Sequence, residues 1–381
     1  MSIDERLAST NFPLPAIRQV NLAKHATAIG LGLGELKDFK VDKKVLDAFC
    51  SSLETSGANY TQNAGLPELR KAVAQNQQDA DGYTYTFENV VVTIGVQNAM
   101  YATIKTLAKL GAKRVLVPEV NFGIYKKIPD EFNLEVILYP LTFNFGIDIQ
   151  ALDDILQDDD IIILNSPANP TGRVFTEIEM HALGNLFTKK LSRGFVLSDE
   201  IYGKLVYEGE PFQSFTKFFE RTIVLDGISK SAAAAGFRVG WVITRNEKLA
   251  QAITSNNATI ISCPPTATQY AAIPVVKGET KNTLHEYNRV LKENRDLVAK
   301  ALNEANIPYI LPTGSFYIFP KIGDTIKTSV KEFCLNTAKK ENGVVVIPGE
   351  AFGAPMHVRI SLASLEIEEG IARFIKAIQE N

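Results

Sequence analysis

Lys230 lies between two serines in the stretch "DGISKSAAAAGFRVGW", Asp226 to Trp241, and Arg238 follows it after four alanines, a glycine and a phenylalanine. Most lysines are solvated surface residues. A lysine buried near a second cation is different, because both effects favour its neutral amine, which can form a Schiff base with an aldehyde. Ser229 and Arg238 bring a hydroxyl and a guanidinium, donors suited to a phosphate. Three more groups stand out upstream: Asn169 opens "NPTG", Asp199 opens "DEIY", and Tyr202 closes it. Singly, each has an ordinary explanation in an Asn-Pro turn or a structural ion pair.

Their positions join them. Short apolar runs recur through the middle of the chain: "NVVVTIG", "RVLVPE", "EVILYPL", "IIILNSP", "GFVLSDEIY", "TIVLDG" and "VGWVIT". Runs without in-out alternation suit strands covered on both faces. Between them lie helical patterns such as "QNAMYATIKTLAKLG", stopped at Gly111, and "EIEMHALGNLFTKKLSRG", stopped at Gly194. The alternation predicts an α/β domain with a mostly parallel sheet. In such sheets ligands gather at the carboxyl ends of the strands. Asn169, Asp199 and Lys230 come after apolar runs and Arg238 after "GF"; Val96 and Gln97, also after such a run, open a helix whose free N–H groups suit an anion. After Ile273 the texture changes to a long charged helix, "TKNTLHEYNRVLKENRDLVAKALNEA", and a strand-rich tail. The predicted division is a large domain over residues 41–273 and a smaller α+β domain made of 1–40 with 274–381.

One ligand uses all of these groups. A phosphate takes the helix start, Ser229 and Arg238; an aldehyde takes Lys230. A protonated ring nitrogen satisfies a buried Asp199, which would be costly without a partner. Asn169 and Tyr202 bond a phenolate oxygen. Phosphate, aldehyde, pyridine nitrogen and phenolate together describe pyridoxal 5'-phosphate. The alanines then read as a low-bulk segment beside the cofactor, and Gly236 as the residue that turns Arg238 toward the phosphate.

Bulk properties narrow the alternatives. The chain has 381 residues, 45% of them hydrophobic, which is ample for a large core. Lys and Arg number 40 against 43 Asp and Glu, so nothing favours nucleic acid or an anionic membrane surface. Cys50, Cys263 and Cys334 are scattered and odd in number, which fits packing residues in a reducing compartment. The N-terminus has no apolar signal region, and no stretch approaches a membrane span, so a cytoplasmic protein is expected. His25, His181, His285 and His357 lack ligand spacing, and no metal is expected. "GLGLGE" does not have dinucleotide-fingerprint spacing.

The ordered blocks resemble the class I/II aminotransferases, pyridoxal-phosphate enzymes of fold type I. They are "NPTG", "DEIY", "SKSAAAAGFRVGW", "PGEAFG" with "HVRIS", and "NYTQNAGLPELR" carrying Tyr60, Gly65, Leu69 and Arg70. The resemblance spans almost the whole chain and implies a large domain with a mostly parallel seven-stranded sheet sandwiched by helices, plus a smaller α+β domain. It implies Lys230 as Schiff-base lysine and proton carrier, Asp199 as partner of the pyridine nitrogen, and Asn169 with Tyr202 at the phenolic oxygen. Ser229, Arg238 and the amides of Val96 and Gln97 resemble the phosphate cup, and Tyr60 would reach the phosphate of the other subunit. Arg359 resembles the clamp for the substrate's α-carboxylate, with Gly34 beside it. A homodimer with active sites at the interface follows, working by ping-pong transfer of an amino group from an L-amino acid to a 2-oxo acid.

Three stretches depart from the family pattern. "GELKDF" replaces a proline-containing segment at Gly34 to Phe39, and the alanines at 232–235 replace a more varied one. The aromatic that stacks on the cofactor falls in "PEVNFGIY", where Phe122 is assigned and Tyr125 is the second choice. A β-eliminating C–S lyase would share every residue named. A non-catalytic cofactor-sensing module is disfavoured by the presence of both Lys230 and Arg359, and by the absence of a helix-turn-helix pattern ahead of this domain. No second arginine can be placed in the pocket from sequence, so the substrate's side chain stays open.

Overall fold

The computed structural model describes residues 14–209 and 211–381. Seven strands form the central sheet: β2 Val90–Thr93, β3 Arg114–Pro118, β4 Glu135–Tyr139, β5 Ile161–Asn165, β6 Phe195–Asp199, β7 Thr222–Gly227 and β8 Gly240–Thr244. Their order is β2-β8-β7-β6-β5-β3-β4, and only β8 runs against the others. The other strands therefore end at one edge, where β8 begins: Thr93 and Gly227 both pair with Gly240.

Both faces are covered, which explains the unbroken apolar runs. Leu197, Leu225 and Val242 pack on one side with the helix Val96–Lys109 and the helix Glu247–Ile261. On the opposite face, Ile162 and Val196 meet the helix Glu177–Lys190, while Val224 and Ile243 meet the helices Pro67–Asp81 and Thr266–Val276. A separate core gathers Val20 to Leu36 with the helices Lys281–Glu304, Val330–Lys339 and Ile367–Gln379. It holds two small sheets. One pairs β1, Ile29–Gly30, with β10, Val344–Val345; the other is β11-β12-β9, from Ile347–Pro348, Val358–Ser361 and Tyr317–Ile318. Ile201, Tyr202 and Leu205 reach into this second core from the end of β6.

Several local expectations change. The helix from Glu177 opens on a capping box between Thr176 and Glu179 but ends at Lys190, short of Gly194. Gly194 instead lets the chain pass close to Asp160, whose carbonyl oxygen would lie 2.3 Å from an added Cβ. The tail beyond residue 305 holds two helices as well as its short strands, because "VKEFCLNTAK" and "IEEGIARFIKAIQ" each present one apolar face to the second core. The position of the texture change, Ile273, lies inside the helix Thr266–Val276. Among the described residues no helix is long and apolar enough to cross a membrane.

Candidate active site

A cavity of about 300 Å³ opens where the carboxyl ends of the sheet strands meet the second core. It brings together Gly34, Val96, Gln97, Phe122, Asn169, Asp199, Tyr202, Ser229, Lys230, Arg238 and Arg359. Tyr60 is not among its walls; that ring is 90% exposed on the surface of this single chain.

Lys230 sits on the short helix Ile228–Ser231, directly after β7. Its ammonium donates to the carbonyl of Gly34 and lies 5.6 Å from the Phe316 ring centroid. Burial, followed by the Arg359 guanidinium, pushes the ammonium down to about 8, so a useful fraction is neutral near neutral pH. The alanines do not extend the helix. Ala233 and Arg238 both adopt left-handed φ, 51° and 53°, while Ala232 and Ala234 are buried in the core beneath the sheet. The expected turn at Gly236 is thus made by Arg238 itself; Gly236 does not have a positive φ.

Arg238 returns to the start of the helix Val96–Lys109. Gly95 caps that helix at φ 93°, and a Cβ there would stand 2.8 Å from Arg238 Nη2. The missing side chain lets guanidinium and helix N-terminus converge on one volume, a cradle for an anion. Among the described residues the guanidinium donates only to the carbonyl of Ala235, at 2.9 Å.

Asp199 ends β6 and is buried. Burial raises its carboxyl to about 6, opposed first by the hydrogen bond from Tyr125. The Tyr125 hydroxyl donates to Oδ2 at 2.6 Å, and the Ile201 amide approaches Oδ1 at 3.3 Å. No cation pairs with it among the described residues, so the carboxylate has room for one more charged donor. Neighbouring Glu200 turns away from the cavity and accepts from Ser198, Ser214 and the Phe215 amide. Asp199 and Glu200 are thereby divided between cavity and support.

Asn169 is held by Asn165 at the end of β5, whose Oδ1 accepts from the Asn169 amide at 2.8 Å. The Nδ2 of Asn165 donates to the Asp199 carbonyl at 3.0 Å, tying the "NPTG" loop to the neighbouring strand. Arg359 rises from β12 and is 2% exposed. Its Nη1 donates to Asn169 Oδ1 at 2.9 Å and its Nη2 to the Gly32 carbonyl at 2.9 Å, while Nε has no partner among the described residues. The guanidinium carbon lies 4.3 Å from the Tyr317 ring centroid and 4.8 Å from that of Phe352. Gly34 fits close by, since a Cβ there would meet Tyr317 Oη at 2.9 Å.

Two members escaped sequence reasoning. Tyr317, whose hydroxyl is 3.2 Å from that of Tyr202, lies in the tail stretch "SFYIF" with nothing to mark it. Tyr125 appeared only as a second stacking ring, yet it holds Asp199, with Phe122 edge-on to it at 6.1 Å. His357 is a packed strand-edge residue whose ring stacks on Phe319 at 4.9 Å.

The residues present fit pyridoxal phosphate: a cradle of donors that a Cβ would fill, a buried carboxylate short of a cationic partner, and a lysine with a depressed ammonium pKa. Tyr125→Phe tests the Asp199 contact. Losing that donor raises the Asp199 carboxyl further, so the acid limb of the pH–rate profile moves upward, by about one pH unit for one lost neutral hydrogen bond. An unmoved limb would show that the tyrosine does not support the carboxylate.

The chain matches the family model for aminotransferase class I and II over residues 26–378. It is 33% identical to the aromatic-amino-acid aminotransferase 2 of Thermococcus litoralis, covering 100% of this chain and 99% of that one. It is 30% identical to the probable aspartate aminotransferase of Methanocaldococcus jannaschii, over 97% of this chain and 98% of the other. Among solved structures, the aromatic aminotransferase from Pyrococcus horikoshii superposes with a TM-score of 0.85 at 28% identity, covering 96% of this chain and 99% of that one.

Proposed function

The chain belongs to the class I and II aminotransferases, and from that premise we propose which of its residues carry the reaction. It is a pyridoxal-phosphate-dependent enzyme that transfers an amino group from an amino acid to a 2-oxo acid in two half-reactions. When bound, the cofactor supplies an aldehyde that condenses with amines and a ring that accepts the electron pair left by the departing α-proton.

Lys230 anchors the cofactor through its neutral amine and, once displaced by substrate, carries the proton between the substrate carbon and the cofactor. Asp199 would hold the cofactor's ring nitrogen protonated, and Tyr125 keeps Asp199 oriented. Asn169 and Tyr202 would bond the cofactor's phenolic oxygen, and Phe122 would pack on its ring. Ser229, Arg238 and the amides of Val96 and Gln97 hold the phosphate. Arg359 would hold the substrate's α-carboxylate, already aimed by Asn169 and the Gly32 carbonyl, with Gly34 beside it. The observation that carries this assignment is the depressed Lys230 ammonium in one cavity with Asp199 and Arg359.

Two further assignments extend it. We place residues 41–273 in the cofactor-binding domain, and 14–40 with 274–381 in the smaller one, in keeping with the separate cores; residues 1–13 of the expected 1–40 segment lie outside the described residues. The exposed Tyr60 completes the phosphate site of a second copy, making the enzyme a homodimer. Three unpaired cysteines suit a reducing cytoplasm.

The test is a half-reaction without acceptor. Adding an L-amino acid to the holoenzyme should release about one equivalent of 2-oxo acid per site, as the stoichiometry of one amino transfer requires. Continuous release of pyruvate and ammonia from cysteine or cystathionine would replace transamination by lyase chemistry. Arg359→Lys keeps the charge but loses the planar fork, so KM for the amino acid rises about 10–100-fold while the cofactor stays bound. Unchanged KM in steady-state kinetics would remove Arg359 from the substrate site.

A further inference from the structure

We infer that Gln269 is a positioning residue for the phosphate site of the other subunit: it fixes the loop that presents Tyr60 to a second copy of this chain. The inference rests on the reading of Tyr60 above. The Tyr60 ring is 90% exposed, yet the loop that carries it, residues 59–66, is tied down on both sides of it. Gln269 lies on the helix Thr266–Val276 and is 0% exposed. Its Oε1 accepts from the Leu66 amide at 2.6 Å, and its Nε2 donates to the Pro264 carbonyl at 2.9 Å and to the Thr61 hydroxyl at 3.3 Å. One side chain thus joins the residue after Tyr60, the start of the helix Pro67–Asp81 and the segment leading into its own helix. Gly65 makes room for it: its φ is 101°, and a Cβ there would stand 2.9 Å from Gln269 Oε1 and 2.5 Å from Val92 Cβ.

Other contacts hold the same loop. The Thr266 hydroxyl donates to the Asn59 carbonyl, the Val92 amide to the Ala64 carbonyl at 2.8 Å, and the buried Arg70 to Gln62 Oε1 at 3.3 Å. Both chain neighbours of Tyr60 are therefore anchored while its ring stands in solvent. A large aromatic carried on a fixed backbone loses little freedom on meeting a partner, so most of the ordering cost of that contact is met in folding. A buried amide suits this task, because it donates and accepts at once with no charge to bury. An apolar side chain of similar size would fill the space but leave the Leu66 amide and the Pro264 carbonyl unpaired, and the loop would shift to satisfy them. The range of good O–H···O distances is only about 0.5 Å wide. A small shift of the loop therefore costs the Tyr60 hydroxyl its hold on a phosphate oxygen.

The experiment is a double-mutant cycle on the holoenzyme loaded with pyridoxamine phosphate, the amino form of the cofactor, which has no covalent bond to Lys230. Cofactor loss into phosphate-free buffer is followed by absorbance, and sedimentation reports the dimer. Tyr60→Phe should speed the loss about tenfold or more, as expected when a hydrogen bond to a charged group is removed. Gln269→Met should speed it about three- to tenfold with the dimer intact. Added to Tyr60→Phe, Gln269→Met should change the rate by less than about twofold, because it acts through the hydroxyl already removed. Thr61→Val cuts the same link at its outer end; it should show the same pattern more weakly, and it carries the test if Gln269→Met does not fold. Effects that multiply, an unchanged rate in the single variants, or their dissociation into monomers would overturn the inference and leave Tyr60 in its role. A wild-type rate in Tyr60→Phe would instead overturn the reading of Tyr60 on which the inference rests.

Discussion

Lys230→Ala lowers the amino-transfer rate by at least about 10³-fold, within the span that a positioned acid–base group contributes. The loss comes from two functions held by one nitrogen. The amine is the covalent anchor, and after displacement by substrate it is the base next to the α-proton. Cofactor retention should suffer much less, because the anion cradle at Gly95 and Arg238 and the carboxylate of Asp199 are untouched. Stopped-flow absorbance with the best amino acid reads the first effect, and equilibrium dialysis of the cofactor reads the second. A variant that still turned over within tenfold of wild type, on the order of one pKa unit in free energy, would place the chemistry elsewhere. The depressed ammonium adds a pH signature. Cofactor capture by the apoprotein should accelerate as pH rises through about 8, where the neutral amine becomes the major form.

Asp199→Asn produces the second large effect, a loss of about 10²–10⁴-fold in transfer rate, as expected when an electrostatic partner at the reacting group is removed. The same substitution has the opposite effect on the empty fold. Burial raises the Asp199 carboxyl to about 6, above its ordinary range, so the folded chain binds the proton more tightly than the unfolded chain. That contribution is fully present below the unfolded carboxyl pKa and is lost as pH rises through about 6. Asparagine carries no charge to bury, so the apoprotein variant should exceed wild type in stability at pH 7 by about 1–3 kcal/mol. Urea denaturation of both apoproteins at pH 4.5 and 7, values chosen to lie roughly either side of the shifted carboxyl, measures this. An equal gap at both pH values would show that the carboxyl is not the cause. Together the two arms describe a group kept at the expense of stability because the bound cofactor compensates it.

Much of this was legible before any coordinates. The strands announce themselves because they are apolar on both faces, and a parallel sheet then fixes which edge carries the ligand. Asn169, Asp199 and Lys230 are readable for that reason: Asp199 ends β6, and Asn169 and Lys230 come shortly after the ends of β5 and β7. Arg359 was legible only through the "HVRIS" resemblance, since a strand arginine by itself says nothing of what it faces.

What stayed hidden depends on contacts between distant segments. Tyr125 holds Asp199 across 74 positions of chain, and Tyr317 lies beside Tyr202 across 115. Neither tyrosine carries a local signal, because a buried hydroxyl needs a partner that only the fold supplies. The turn after the alanines was misplaced for a different reason. Glycine is the default for left-handed backbone, yet Arg238 adopts it and Gly236 does not. A functional side chain aimed back at a helix start is the kind of site where local preference gives way.

The most direct test of the central claim is to reduce the holoenzyme with borohydride, which makes the lysine–cofactor linkage permanent, and to map the modified peptide. The account predicts the cofactor mass on Lys230, in the peptide that carries "SKSAAAAGFR". A label on any other lysine, or an unlabelled chain from yellow holoenzyme, would contradict it.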